Sequence, residues 1–592
     1  MGRAFDILAR LMERLRPLLL LTFLSIILST IPSIAPAHGE VKGPLGAALD
    51  RYVSELAGYG YSGSVLVAQH GEVVLDKGYG LADQAHNVPF TADTLFDIAS
   101  ISKPFTAAAV LRLEMRGKLK VEDKISRFFP EAPPDKAGIT LHQLLSHTSG
   151  LPEIIGEEYD PLTRKAFLQW VFAARLVHPP GGRFLYSNVG YSLLAAVVEV
   201  ATGRPFGEVL RGEVFLPAGM RHSGYLPDAA DRARLAHGYT GEGDWGTSLD
   251  HPHAPDGPWW NLRGNGGVLT TTGDLYRWHL ALQGNAVLSA AEREKYERPN
   301  VREGKGPFPQ YAYGWSVSKS PSGHKQLSHV GGNGVFLSDY RRYPEDGAVI
   351  AITSNTAGYS SIAIADQLEL RLFGQPSAEP PKTAPGSEAD LRRCAGTYSL
   401  PSGERLAVAA ERSRLSITPD GRDGLTLLSG RPGEDRRRRF AEREREVTEA
   451  MAAALRGDLG PTADILVDAM DGARRWRAAM ATTEARLGPW KGATVLGTRS
   501  IGGLVVTHAR LTFAKGTRVL DVAWTGPTAD HLSVGRGLWP TFFLPEGPSR
   551  FVTYEVGTGT TVHLSCTGKG ADVPTLRFET GGGVVTARRQ PG

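Results

Sequence analysis

The chain has 592 residues, more than one ordinary hydrophobic core supports, so two to four domains are expected. Its 41% apolar and 22% charged residues are those of a folded globular protein and exclude wholesale disorder. A net charge of +4, with no basic stripe interleaved with aromatics, argues against a nucleic-acid partner.

Residues 1–37 read as an export signal. Arg3, Arg10, Arg14 and Arg16 make a basic start, Leu18 to Leu28 an apolar run, and Ala35-Pro36-Ala37 a small-residue cleavage site. The run is about a dozen residues, short of the ~20 that span a bilayer. Cleavage is therefore favoured, and with it a periplasmic or extracellular location. The alternative is an uncleaved anchor, its apolar stretch extended through Ile31 and Ile34; only then is a membrane involved. Export permits a disulfide, but Cys394 and Cys566, taken alone, are equally two buried thiols.

From Tyr61 to Leu81 two β-rich runs flank His70-Gly71-Glu72, a hairpin signal. From Ser100 to about Gly117 the pattern is helical, carried by Ala107, Ala108, Val110, Leu111 and Leu113. A second helix is expected over Tyr191 to Val200, ending at Gly203, and a third over Asp274 to Leu282 with Thr272 as its cap. Gly334 to Asn355 is β-like again, with a turn at Pro344-Glu345-Asp346-Gly347. Hairpins at both ends with helices between predict an α+β fold, an α/β sandwich, over 38–373 rather than alternating βαβ units.

Residues 374–387 contain Pro376, Pro380, Pro381 and Pro385 and read as a linker. Leu391 to Leu428 alternates as in an antiparallel β-domain. Gly433 to about Leu487 is helical and highly charged, and Trp490 to Ala587 is β-like. Arg436 to Arg439, interleaved with Glu442, Glu444 and Glu446, fits a solvated helix face better than an anion-binding patch.

Ser100-Ile101-Ser102-Lys103 is an S-x-x-K motif. On a helix, i and i+3 share a face, so Lys103 can take the Ser100 proton if burial lowers the ammonium pKa. The spacing recurs at Ser316-Val-Ser-Lys319 and Ser322-Gly-His-Lys325, in a turn-like stretch with no helix behind it. Only Ser100 heads a long apolar helix, with Pro104 in its first turn. Tyr186-Ser187-Asn188 is a Y-x-N; by itself it better describes the cap of the following helix. His329-Val330-Gly331-Gly332 is an H-x-G ahead of a β-run, where glycine lets a substrate backbone approach. His222-Ser223-Gly224 also fits H-x-G, but in a loop-like stretch. His251-Pro252-His253 is the one close His pair and lacks a ligand cluster, so no metal is expected.

The order S-x-x-K, Y-x-N, H-x-G resembles that of the class C β-lactamase-related serine hydrolases, a group that includes penicillin-binding proteins, D-aminopeptidases and esterases. Phe96 to Thr106 resembles the family's nucleophile segment, Ile139 to Leu151 its most recognisable block, and Gly264 to Leu275 another; the likeness spans roughly 45–372. It implies an antiparallel sheet flanked by helices, with a helical subdomain. It implies that Ser100 attacks a carbonyl, Lys103 and Tyr186 share proton transfer, and Asn188, His329 and Gly331 bind substrate. The Ser100 and Gly332 amides would form the oxyanion hole. No cofactor is implied. The substrate would be a small ester or a peptide or amide, with D-amino-acid and cell-wall compounds included. His-Val-Gly replaces the Lys-Thr-Gly typical of β-lactamases, which favours an ester or peptide over β-lactams. The rivals are a true β-lactamase and an inactive protein that binds or senses cell-wall peptides. The His147 block is a family marker with no catalytic role assigned, and its reading is structural.

The tail from Cys394 to Leu406 resembles the first strands of a lipocalin-like β-barrel. The expected arrangement is a barrel split between 388–431 and 538–592, with an α+β insertion at 432–537. That would place Cys394 and Cys566 in one barrel and favour their pairing.

Overall fold

A computed structural model describes residues 39–590 except 241–242, 305–308, 357, 412, 431–432, 459–475, 477–479, 482, 526–527, 536 and 569–574. The expected export signal lies outside the described residues. Among the described residues no helix is long and apolar enough to cross a membrane.

The first part is built on a nine-stranded antiparallel sheet. In chain order its elements are β1 (Glu40–Val41), α1 (Gly43–Gly58), β2 (Gly63–Gln69), β3 (Glu72–Tyr79), α2 (Ser102–Met115), α3 (Leu141–Leu145), α4 (Asn188–Thr202) and α5 (Thr272–Gln283). They continue with β4 (Val301–Arg302), β5 (Gln310–Tyr311), β6 (Ser316–Lys319), β7 (Lys325–Gly332), β8 (Leu337–Tyr343), β9 (Ala348–Ser354) and α6 (Ser361–Leu372). The strand order is β1-β3-β2-β9-β8-β7-β6-β5-β4. The first and last long strands of this part, β2 and β9, are thus neighbours in mid-sheet, and β7 lies two strands away from β9.

Side chains of a strand alternate between faces, and both faces of this sheet are covered. Val65 and Val67 of β2 and Ile350 and Ile352 of β9 pack with Leu49, Val53 and Leu56 of α1 and with Ile364 and Leu368 of α6. Leu66, Ala68, Val349 and Ala351 point the other way, into the core shared with α2 and α4. That is why these strands read as continuous apolar runs rather than alternating ones. The β2–β3 hairpin turns on His70 and Gly71, both at positive φ (54° and 80°), as a two-residue turn matched to strand twist requires.

Helices α3 to α6 each start where a Ser or Thr side chain caps them. Ser187 accepts from the Gly190 amide and opens α4, three residues earlier than the apolar pattern alone indicates. Gly203 closes α4 at φ 69°. Helix α5 is capped by Thr271, which accepts from Asp274 N, not by Thr272, which is already its first helical residue. The hydroxyl one residue earlier is the one placed to reach the third amide. Ser316–Lys319 is strand β6 rather than a turn, so that S-x-x-K alternates faces and cannot put Ser and Lys on one side.

After the proline-rich stretch, β10 (Gly396–Ser399), β11 (Arg405–Glu411) and β12 (Arg414–Pro419) begin a closed barrel. The chain leaves it through helix α7 (Glu434–Leu455) and a four-stranded sheet, β13 (Trp490–Ile501), β14 (Leu504–Phe513), β15 (Gly516–Thr525) and β16 (Thr528–Gly535). It returns for β17 (Thr541–Gly547), β18 (Arg550–Glu555), β19 (Thr560–Thr567), β20 (Thr575–Thr580) and β21 (Gly583–Arg589). Pairing of Tyr398 with Arg589 and Ser399 with Arg588 closes the eight strands. Leu406, Ile417, Phe543, Leu564 and Phe578 fill the interior. Cys394 and Cys566 are disulfide-bonded, with Cα atoms 6.0 Å apart, and tie the segment before β10 to β19 across the insertion.

Candidate active site

Ser100 sits in a short 3-10 turn, Ala99–Ile101, that runs straight into α2. Its neighbour Ala99 has φ 44°, a left-handed backbone that costs an L-residue roughly 1–2 kcal/mol. The turn is held from both sides. The buried Asp97 carboxylate accepts from the Ala99 amide at 2.8 Å and from Ser248 Oγ at 2.7 Å. The Ile98 amide donates to Val268 O at 3.1 Å. Amides in the first turn of a helix have no acceptor within it, so the Ser100 N–H is free of that ladder.

One turn on, Lys103 is fully buried. Its Nζ lies 2.9 Å from Ser100 Oγ and donates to Asn265 O at 3.0 Å. Burial pushes the ammonium down to about 7 from its ordinary 10.5, against the opposing pull of Glu153 and Glu158. A lysine so placed spends part of its time as a free amine near neutral pH, as a base for a serine hydroxyl must. The Asn265 carbonyl comes from the Gly264 to Leu275 block. That loop is pinned by Thr106 Oγ1, which donates to Gly264 O at 2.6 Å, and by Asn265 Nδ2, which donates to Ser192 Oγ at 2.8 Å. The sequence flagged the block without pointing to Asn265, because a backbone acceptor leaves no side-chain signature.

Tyr186 lies beside this pair. The Lys103 Nζ is 4.7 Å from the centre of its ring and 5.8 Å from that of Tyr191. Asn188 opens α4, its amide donating to Glu153 O at 2.8 Å, while its side-chain Oδ1 is buried without a hydrogen bond among the described residues. The Tyr186-Ser187-Asn188 turn is held by His147. Leu185 N donates to His147 O at 2.8 Å and Ser187 N donates to His147 Nδ1 at 3.0 Å.

Strand β7 forms the opposite wall. Gly331 is buried so close to the nucleophile turn that a Cβ there would stand 2.1 Å from Ile98 O and 2.4 Å from Ser338 Oγ. Only glycine fits. Asn333 N donates to Phe336 O just beyond β7. In antiparallel pairing such bonds recur at alternate residues, so His329 and Gly331 bond toward β8 while the amides of Val330 and Gly332 face the other edge. There β6 pairs with β7 only as far as Ser328, which leaves the Gly332 edge open beside Ser100. His329 is buried, its Nδ1 donating to Val330 O at 2.8 Å and its Nε2 3.2 Å from the Tyr311 hydroxyl. Burial, then the Lys103 charge, pushes the ring down to about 3, so it is neutral. It offers the site an aromatic edge and no positive charge.

The structure thus brings Ser100, Lys103, Tyr186, His329 and Gly331 together, while Asn188 opens α4 two residues after Tyr186 and Gly332 follows Gly331 at the end of β7. His222 lies elsewhere, between Asp231 and Asp274. What the sequence did not single out is the framework: Asp97, Asn265 and the His147 grip on the Tyr186 turn.

A family model described as Beta-lactamase matches residues 49–374, more than half of the chain. The chain is 29% identical over 400 residues to "Penicillin-binding protein 4*" of Bacillus subtilis (strain 168), covering 62% of this chain and 86% of that protein. It is 37% identical over 187 residues to "Esterase EstB" of Burkholderia gladioli, covering 28% of this chain and 47% of that one. Among solved structures, the octameric penicillin-binding protein homologue from Pyrococcus abyssi aligns at 18% identity with a TM-score of 0.49, over 91% of this chain and 99% of that one.

Proposed function

The chain belongs to the Beta-lactamase family, whose members include serine hydrolases of the penicillin-binding-protein and esterase kinds, and from that premise we propose that it is an exported hydrolase that forms an acyl-enzyme at Ser100. The observation that carries this reading is the 2.9 Å contact between Ser100 Oγ and a buried Lys103 held near 7.

In this mechanism neutral Lys103 accepts the Ser100 proton as Oγ bonds to the substrate carbonyl carbon. The carbonyl electrons move to oxygen, and the oxyanion is met by the Ser100 and Gly332 amides. The leaving alcohol or amine departs with a proton returned through Lys103 and Tyr186. Water, deprotonated by the same pair, then cleaves the acyl–Ser100 ester and restores the serine. Asn188 binds the acyl side chain through its open Oδ1.

The neutral His329 supports esters and uncharged amides over β-lactams, whose carboxylate would meet no cation at the His329 position. The relative named penicillin-binding protein favours a second reading within the same chemistry, a cell-wall-derived peptide with D-amino acids. A panel of aryl esters, D-amino-acid amides and a chromogenic cephalosporin, run on wild type and Ser100→Ala, tests both. Ester or amide turnover that vanishes in Ser100→Ala is expected. Cephalosporin turnover outpacing every ester and amide would overturn the substrate assignment.

A further inference from the structure

The His147 ring is fully buried beside the reacting groups, yet the mechanism above gives it no step. Its centre lies 4.4 Å from that of Tyr186, 4.7 Å from Tyr311 and 5.0 Å from Tyr191. Its backbone has φ 57°, a left-handed residue directly after helix α3 and Ser146. That conformation turns both its carbonyl and its ring toward the same strand of chain. The carbonyl accepts from Leu185 N and Nδ1 accepts from Ser187 N, so one residue grips Tyr186 from both sides.

Because Nδ1 accepts, the proton of the neutral ring is on Nε2, which makes no hydrogen bond among the described residues. The bond to Ser187 is then the ring's one polar contact in this set. A protonated ring would aim a second N–H at the Ser187 N–H and break the grip. Burial, then the charge of Lys103, opposes that protonation. The tyrosines 186, 191 and 311 complete the wall around the ring.

We propose that His147 is a positioning residue: its carbonyl and Nδ1 clamp Leu185 and Ser187, and so fix the Tyr186 phenol and the Asn188 amide against Lys103 and Ser100. This rests on Ser100 as nucleophile. The clamp touches neither substrate nor the reacting atoms; it acts through the turn it holds. A shift of about 1 Å in such a turn is enough to lose ~100-fold in rate.

The test separates backbone from acceptor. His147→Asn keeps an acceptor in the place of Nδ1 and tolerates positive φ; His147→Gly tolerates positive φ and has no acceptor. Each is assayed on an aryl acetate, with kcat expressed per Ser100 titrated with a fluorophosphonate. The clamp predicts a kcat about 100-fold down in His147→Gly, KM changed by less than about 3-fold, and His147→Asn within about 10-fold of wild type. Wild-type kcat in a folded His147→Gly would overturn it, as would a folded His147→Asn that has lost about 100-fold. If His147→Gly does not fold, His147→Asn alone decides on the same criterion. A wild type that a fluorophosphonate does not label at Ser100 would instead overturn the nucleophile assignment, leaving the two failures distinct.

Discussion

Lys103 Nζ and Ser100 Oγ lie 2.9 Å apart, and the second partner of the ammonium is a carbonyl, Asn265 O, rather than a carboxylate. A carboxylate at that place would hold the proton on the lysine. The carbonyl leaves it free to depart, and burial moves its pKa into the range where a base is useful.

The first prediction is a pH–rate profile. Lys103 must be neutral to accept the Ser100 proton, so kcat/KM should climb with pH and level off above about 7. Lys103→Arg, which cannot lose its proton, should lower kcat by about 10³-fold or more. Initial rates between pH 5 and 9 check this. A rate that is flat down to pH 5 would contradict Lys103 as the base.

The same burial has a stability consequence. The lysine sits near 7 in the folded chain and at its ordinary 10.5 when unfolded. Between those values the unfolded chain binds more protons, so stability from this group rises with pH across the window and is lowest below 7. Lys103→Met should therefore be more stable than wild type at pH 6, by on the order of 5 kcal/mol at most. That advantage should shrink toward pH 10. Denaturant melts of both proteins at pH 6 and pH 9 measure the gap, and a gap independent of pH would contradict the assignment.

Gly331 offers a steric prediction. A methyl group at this position would collide with Ile98 O, two residues ahead of Ser100. Gly331→Ala should displace β7 from the nucleophile turn and cost about 100-fold in kcat, together with roughly 1–3 kcal/mol of stability. Gly332→Ala meets only Leu337, at 3.3 Å, and should be milder in stability. Steady-state kinetics and melts on both variants check the order; equal losses of stability would contradict it.

The disulfide should matter to the barrel and not to the chemistry. It closes 172 residues of chain, insertion included. Replacing both Cys394 and Cys566 by Ser should cost about 2–4 kcal/mol, with ester turnover per folded molecule unchanged. Calorimetry with parallel assays checks this, and an unchanged unfolding profile would contradict it.

Much of the site was legible in the sequence, for reasons that differ by residue. Ser100 stood out because an apolar helix follows it, whereas the strand at Ser316 carries the same spacing without the geometry. Gly331 was legible because close backbone approach demands glycine. His329 was legible as a position, but its neutral state and its two bonds depend on burial and on Tyr311, contributed from another strand. His147 looked structural because its role is exerted by a backbone carbonyl and one ring nitrogen on a turn 40 residues away. Helix caps were misplaced by one residue at Thr271, since adjacent threonines are equal by composition and differ only in reach.

The central claim is that Ser100 is the nucleophile. The direct measurement is intact-protein mass and peptide mapping after treatment with a fluorophosphonate probe. One adduct on Ser100, absent from Ser100→Ala and slowed in Lys103→Arg, is the predicted result. An adduct that persists in Ser100→Ala, or that maps to any other residue, would contradict it.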